Sequence, residues 1–356
     1  MPPKRQAGYG EPVEGTQAGR HRTSEEPGDG EEPGDDGPSV EQSPPAPPTA
    51  PRRKWWRRPR IAIPAAALLV VAVVAAIVIT SQLGNDGSEA APSGPQHGIH
   101  VFGPEVTLPF TGLNHPADVE VDAAGNLYVA DDNNNRVLKL AAGSNTPIEL
   151  PITGLRAPEG VAADAAGNLY IAEVNDDIVL RLPVGSSTPT ELPFAGLNKP
   201  QGVAVDAAGD VYVADTGNDR VLALAAGARR PVQLAFTGLA GPEGVGVDAA
   251  GSIYVTDSGN SRVLKLAAKS SRQEVLPFTG LFTPGDPTGV AVDSAGDVFV
   301  TDYTGNRVLE LAAGSNHQAV IPITGLEHPS GVAVDSSVNL FVTDYTGNRV
   351  VKLPAR

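Results

Sequence analysis

Residues 200–224 read Pro-Gln-Gly-Val-Ala-Val-Asp-Ala-Ala-Gly-Asp-Val-Tyr-Val-Ala-Asp-Thr-Gly-Asn-Asp-Arg-Val-Leu-Ala-Leu. Short runs of branched and aromatic residues, each of strand length, are separated by turn residues, and the Ala-Ala-Gly segment supplies the glycine that a tight hairpin needs. In the preceding copy a further run, Thr190-Glu-Leu-Pro-Phe194, completes a four-stranded meander. The same phrase recurs with its first aspartate at Asp122, Asp164, Asp206, Asp248, Asp293 and Asp335, giving spacings of 42, 42, 42, 45 and 42 residues. A period of about 40–45 residues with several short strands per repeat is the pattern of a β-propeller blade. The expected fold is all-β, a six-bladed propeller over residues 101–356.

The order of the pieces predicts how the ring closes. An outer-strand run, Val106-Thr-Leu-Pro-Phe110, precedes the first inner strand, and the chain stops after a third-strand run, Arg349-Val-Val-Lys-Leu353. Pairing the first with the last completes the sixth blade and hides two sheet edges that an open ring would expose.

Ahead of the repeats the composition changes twice. Residues 1–51 hold eleven prolines, four basic and ten acidic residues, with few branched apolar side chains, and read as a disordered cytoplasmic tail. Residues 52–60 carry six positive charges with Trp55 and Trp56, and 61–83 follow without a charged residue. That is the length and flank of a single transmembrane helix with its basic side in the cytoplasm, and the position is far too deep in the chain for an ordinary signal peptide. Residues 84–100 read as a flexible stalk, which places the propeller outside the cell membrane.

The net charge is −15, of which the span from 101 onward carries 29 acidic against 16 basic residues. Such a surface repels phosphate backbones and argues against a nucleic-acid partner. There is no cysteine, so disulfides and thiolate metal sites are excluded.

Candidate site residues come from where the repeats disagree. The position after each channel proline reads Ala117, Glu159, Gln201, Glu243, Thr288 and Ser330. Blade one also places Asp118 and Glu120 where the other five blades have glycine and then alanine or glycine. Together with the Glu173-Val-Asn-Asp-Asp177 turn of blade two, these predict an acidic pole over blades one and two, suited to a cationic ligand or to Ca²⁺ through oxygen ligands. Asp131/Arg136, Asp215/Arg220, Asp257/Arg262, Asp302/Arg307 and Asp344/Arg349 recur in five blades and read as architectural clasps with bidentate geometry. His115 and His328 fall in neighbouring loops but lack the third ligand a catalytic zinc normally has. The insertion Pro284-Gly-Asp-Pro287 enlarges one loop on the same face and is a candidate lip.

The repeats 206–215 and 306–315 resemble the NHL repeat. More specifically, Leu-Pro-Phe-Thr-Gly-Leu-Asn-His-Pro at 108–116 and the recurrent Leu-Ala-Ala-Gly-Ser are similar to the extracytoplasmic sensor propellers of mycobacterial receptor Ser/Thr kinases. The resemblance implies a ligand- or protein-binding sensor or scaffold with a peptide, protein or cell-wall ligand. It does not extend to a kinase, since residues 1–60 hold no nucleotide loop and no His-Arg-Asp or Asp-Phe-Gly. An alternative is a metal-dependent lactonase- or lyase-like enzyme working at the channel mouth through Asp118, Glu120, Glu159, Gln201 and Glu243.

Overall fold

Alternation becomes pairing in every repeat. In blade three, Pro200–Val205, Val211–Asp215, Arg220–Leu224 and Val232–Gln233 pair in sequence order as an antiparallel meander. Both faces of each sheet pack on neighbouring sheets, so second strands such as Val211–Asp215 are buried along their whole length. The structure, a computed structural model, describes residues 98–281 and 286–356. Among them are six such four-stranded sheets. The predicted tail, basic run, transmembrane span and most of the stalk lie outside the described residues, among which no helix is long and apolar enough to cross a membrane.

The repeat's first aspartate explains itself in the turn. Asp206 Oδ1 accepts the amides of Ala208 and Asp210, both at 2.9 Å, while Oδ2 accepts the Tyr212 hydroxyl at 3.0 Å. One carboxylate thus caps the hairpin and pins the second strand, with Gly209 at a φ of 84° making the reversal.

The ring closes as its strand order requires. Val106–Thr107 pairs with Arg349–Leu353, setting Val106 opposite Lys352 and Thr107 opposite Val351, and the Leu108 amide donates to the Val350 carbonyl at 2.9 Å. The paired part is shorter than the expected 106–110, in keeping with the other outer strands of two or three residues. Phe110 leaves the strand but packs with Val119 and Val129 of blade one and with Phe341 and Val350 of blade six. That cluster repeats the packing between the other neighbouring blades, for instance Tyr170 and Val179 of blade two against Val213 and Leu222 of blade three.

The five Asp/Arg pairs are present but are not bidentate. Each arginine donates Nε–H to one aspartate oxygen at 2.5–2.7 Å. Its Nη2 donates instead to a glycine carbonyl of the loop entering the blade: Gly112, Gly196, Gly238, Gly280 or Gly325. The guanidinium therefore spans a carboxylate and a backbone carbonyl, tying the turn between second and third strands to the incoming loop. A second tie links blades: the Asn348 side-chain oxygen of blade six accepts the His115 amide of blade one at 2.7 Å, as Asp219 accepts Gly241 between blades three and four.

Candidate functional site

The first strands converge on the ring axis, where backbone comes so close to backbone that a Cβ at Gly160 would overlap the Gln201 carbonyl, and one at Gly202 the Glu243 carbonyl. They enclose a channel cavity of about 250 Å³. All six post-proline positions line it, together with Asp118 and Glu120; the lining includes four carboxyl side chains and no basic one.

Thr288 and Ser330 are occupied in holding blades together. Ser330 Oγ donates to the Ala117 carbonyl of blade one at 2.6 Å. Thr288 Oγ1 lies 2.9 Å from Thr301 Oγ1 and 3.1 Å from the Ser330 carbonyl oxygen. Their variation reflects different inter-blade straps, and the fold does not leave them free as ligand groups. Gln201 accepts the Thr216 hydroxyl at 3.2 Å, and Thr216 also reaches the Pro242 carbonyl at 2.7 Å.

The acids remain. Asp118 Oδ1 accepts the Val119 amide at 2.9 Å and Oδ2 the Val161 amide of blade two at 3.0 Å, and burial lifts its pKa to about 7 against those bonds. Burial and then the Asp118 charge lift Glu120 to about 8. Glu159 rises to about 8 through burial and then the charges of Asp132, Glu243 and Asp118. Burial lifts Glu243 to about 7 despite a bond from Ser258. Asp118, Glu120 and Glu159 of blades one and two thus share one cavity with Glu243 of blade four.

Blade two's turn does not join it. Buried Glu173 accepts the Arg156 amide at 2.6 Å, and with Ile178 in the usual arginine position burial lifts it to about 7. Asp176 pairs with the Arg156 guanidinium at 3.2 Å, and Asp177 accepts the Lys199 amide at 2.7 Å. Asp176 and Asp177 are spent on loop contacts, while Glu173 engages one oxygen and keeps Oε1 buried without a hydrogen-bond partner.

Sequence reasoning missed an aromatic row beside the mouth. His328 stacks on Tyr303 at 4.6 Å, Tyr303 lies 6.1 Å from Tyr345, and Tyr345 stacks on His115 at 4.5 Å. The Tyr345 hydroxyl donates to Asp132 at 3.3 Å. Burial raises the pKa of both tyrosines and the Glu159 charge adds to it, which sets their hydroxyls within the field of the acidic mouth. The histidines are thus stacking partners, with Nδ1 engaged by Asn133 in one and Thr346 in the other. The signal was legible in the Asp-Tyr-Thr-Gly turns at 302–305 and 344–347, unlike the Asp-Thr-Gly-Asn and Asp-Ser-Gly-Asn turns at 215–218 and 257–260.

Of the candidate lip, Pro284 and Gly285 lie outside the described residues. Asp286 is buried and accepts the Thr304 amide at 2.7 Å, and the Pro287 carbonyl accepts the Ser258 hydroxyl at 2.5 Å, so this part packs inward. Among the described residues no three channel carboxylates bring ligand atoms within 4.8 Å of one another, so the expected Ca²⁺ arrangement at the acidic rim is not assembled there.

Comparison with known proteins agrees with the repeat reading. Residues 113–140, 197–224, 239–266 and 285–311 match the NHL repeat, so the chain carries NHL repeats within a six-bladed propeller. No curated protein matches the chain. Among solved structures, a gluconolactonase from Xanthomonas campestris is similar at 18% identity and a TM-score of 0.60, over 71% of this chain and 89% of that one. Virginiamycin B lyase from Staphylococcus aureus is similar at 13% identity and a TM-score of 0.54, over 72% and 88%. A chain of a nidogen/laminin complex is similar at 19% identity and a TM-score of 0.55, over 61% and 84%. At these identities the likeness is one of fold.

Proposed function

We propose that this chain is a membrane-anchored extracytoplasmic propeller that binds a cationic group of a peptide, protein or cell-wall ligand at the channel mouth. The observation that carries the reading is the lining: Asp118, Glu120, Glu159 and Glu243 face a cavity of about 250 Å³ with no basic side chain among them. Desolvated carboxyl groups without counter-charges favour a cation and disfavour an anion. A cavity of about 250 Å³ has room for an ammonium or guanidinium head with part of its stem. Tyr303 and Tyr345 add ring faces and hydroxyls beside it. The anchor at 61–83 and the outward orientation rest on the charge pattern of the sequence, and the sensing role on the resemblance to the kinase sensor propellers.

The second reading is an enzyme of lactonase or lyase type. It is favoured by Glu159 and Glu243 holding protons near neutral pH, as a general acid must. One set of preparations separates the two. The full-length chain and its Glu159→Gln/Glu243→Gln variant are titrated calorimetrically with short lysine- or arginine-bearing peptides and with their neutral counterparts, then supplied with lactones. The binding reading predicts heat from the cationic peptides alone, lost in the variant. Equal binding of neutral peptides overturns it, and lactone turnover lost with Glu159→Ala establishes the enzyme in its place.

A further inference from the structure

On the opposite face of the ring, blade five departs from blade one at three positions at once; Asp210 of blade three and Phe341 of blade six each make one of these changes, but only blade five adds the acid Glu310. In blade one, Asp122 Oδ2 accepts the Asn126 amide at 2.7 Å and the Tyr128 hydroxyl at 3.0 Å, and Lys139 lies over the Tyr128 ring at 5.1 Å. In blade five the corresponding residues are Asp293, Asp297, Phe299 and Glu310. The amide donor has become a carboxyl, the hydroxyl donor is gone, and the cation has become an acid. Each change removes a donor or a positive charge from the same buried spot.

What remains is oriented rather than collapsed. Asp293 Oδ1 accepts the amides of Ala295 and Asp297, both at 2.9 Å; Asp297 Oδ1 accepts the Ala313 amide at 2.6 Å; Glu310 Oε1 accepts the His100 amide at 2.9 Å. The second oxygen of all three, Asp293 Oδ2, Asp297 Oδ2 and Glu310 Oε2, is buried without a hydrogen-bond partner. Asp293 is 6% exposed, Asp297 and Glu310 0%. A buried carboxyl oxygen left unpaired is costly, and three at one place call for a shared partner.

His100 enters this acidic cup from the segment that leads into the ring. Its Nδ1 is 2.7 Å from Glu310 Oε1 and 3.7 Å from Asp297 Oδ2, and its Nε2 is 3.6 Å from Asp293 Oδ2. Among the described residues no lysine or arginine pairs with these acids. Phe102 and Phe299, at 6.0 and 5.9 Å, hold the imidazole in place. One ligand atom each from His100, Asp297 and Glu310 falls within 4.8 Å of the others, with Asp293 Oδ2 beside them.

We propose that His100, Asp297 and Glu310, with Asp293, form a binding site for a divalent first-row metal of the zinc class. Mixed imidazole and carboxylate ligands suit Zn²⁺ better than an all-oxygen Ca²⁺ cage, and each carboxylate already has the backbone partner that fixes a metal ligand. The ion would tie the entry of the chain to blade five. The site does not depend on the channel reading, and its residues are separate from those of the channel.

The test uses the full-length chain, stripped with chelator and titrated with Zn²⁺ alone, reading metal content, calorimetric stoichiometry and thermal shift. The comparison variant is Asp297→Asn/Glu310→Lys, which gives blade five the asparagine and lysine of blades one and six and so keeps a set the fold accepts. His100→Ala, which leaves every strand intact, is the second. The native chain is expected to bind one more Zn²⁺ than the double variant and to gain melting temperature that the variant does not. His100→Ala should weaken that site about tenfold or more. Equal stoichiometry in native chain and double variant, or tighter binding of Ca²⁺ than of Zn²⁺ at this site, would overturn the assignment.

Discussion

At the scale of single residues, the clearest departure from the repeat is Glu120, an acid where its equivalents are alanine or glycine. Burial and Asp118 lift its pKa from 4.5 to about 8, so the folded chain holds this proton more tightly than the unfolded chain. A group shifted in that direction contributes its full stability at low pH and withdraws it as pH rises through the folded value, by on the order of a few kcal/mol. Glu120→Gln should therefore raise the melting temperature more at about pH 9 than at about pH 5. A gain of the same size at both values would place Glu120 in contact with water. The acid itself was legible in the sequence because it breaks a repeat. The roles of other channel residues were not: Thr288 and Ser330 looked as free as Glu159 until their hydroxyls were seen to reach the next blade's backbone.

Among the elements, the latch decides whether the ring is one cooperative unit. Val106–Thr107 is only two residues long, so pairing alone is a weak seal. Phe102 and Phe110 strengthen it from either side: Phe102 bridges Ala355 and packs with Phe299 and Leu353, and Phe110 fills the seam between blades six and one. Phe102→Ala should cost about 3–5 kcal/mol by denaturant unfolding, the usual range for a buried phenylalanine. A loss below about 1 kcal/mol would mean that the sheet edge alone closes the ring. Strands, turns and the latch could be read from the chain because alternation, glycine positions and strand order each leave a sequence mark. The aspartate caps of the hairpins left one too, as the most regular residue of the repeat, but only the turn geometry tells what the carboxylate does. The blade-five cluster escaped notice because its acids lie 4 and 17 residues from Asp293, and their histidine precedes the first blade.

For the molecule as a whole, the channel is a property of the ring and of no one blade. Glu159 of blade two owes its high pKa to burial and then to Asp132 of blade one, Glu243 of blade four and Asp118 of blade one, groups from other blades that the ring sets around it. Fold comparison adds the architecture and leaves the chemistry to these side chains, since the same propeller serves a gluconolactonase, a lyase and a nidogen/laminin assembly. A cation seated among them should reverse the shift by restoring their charge, so that binding releases protons and strengthens as pH rises through about 7 to 8. The most direct test is the titration of the Glu159 carboxyl followed by carbon NMR, assigned by its loss in Glu159→Gln, with and without a lysine-bearing peptide. The expected result is a midpoint near 8 in the free protein that falls when the peptide is added. A midpoint near the ordinary 4.5, or one that the peptide leaves unmoved, would contradict a desolvated, cation-accepting channel.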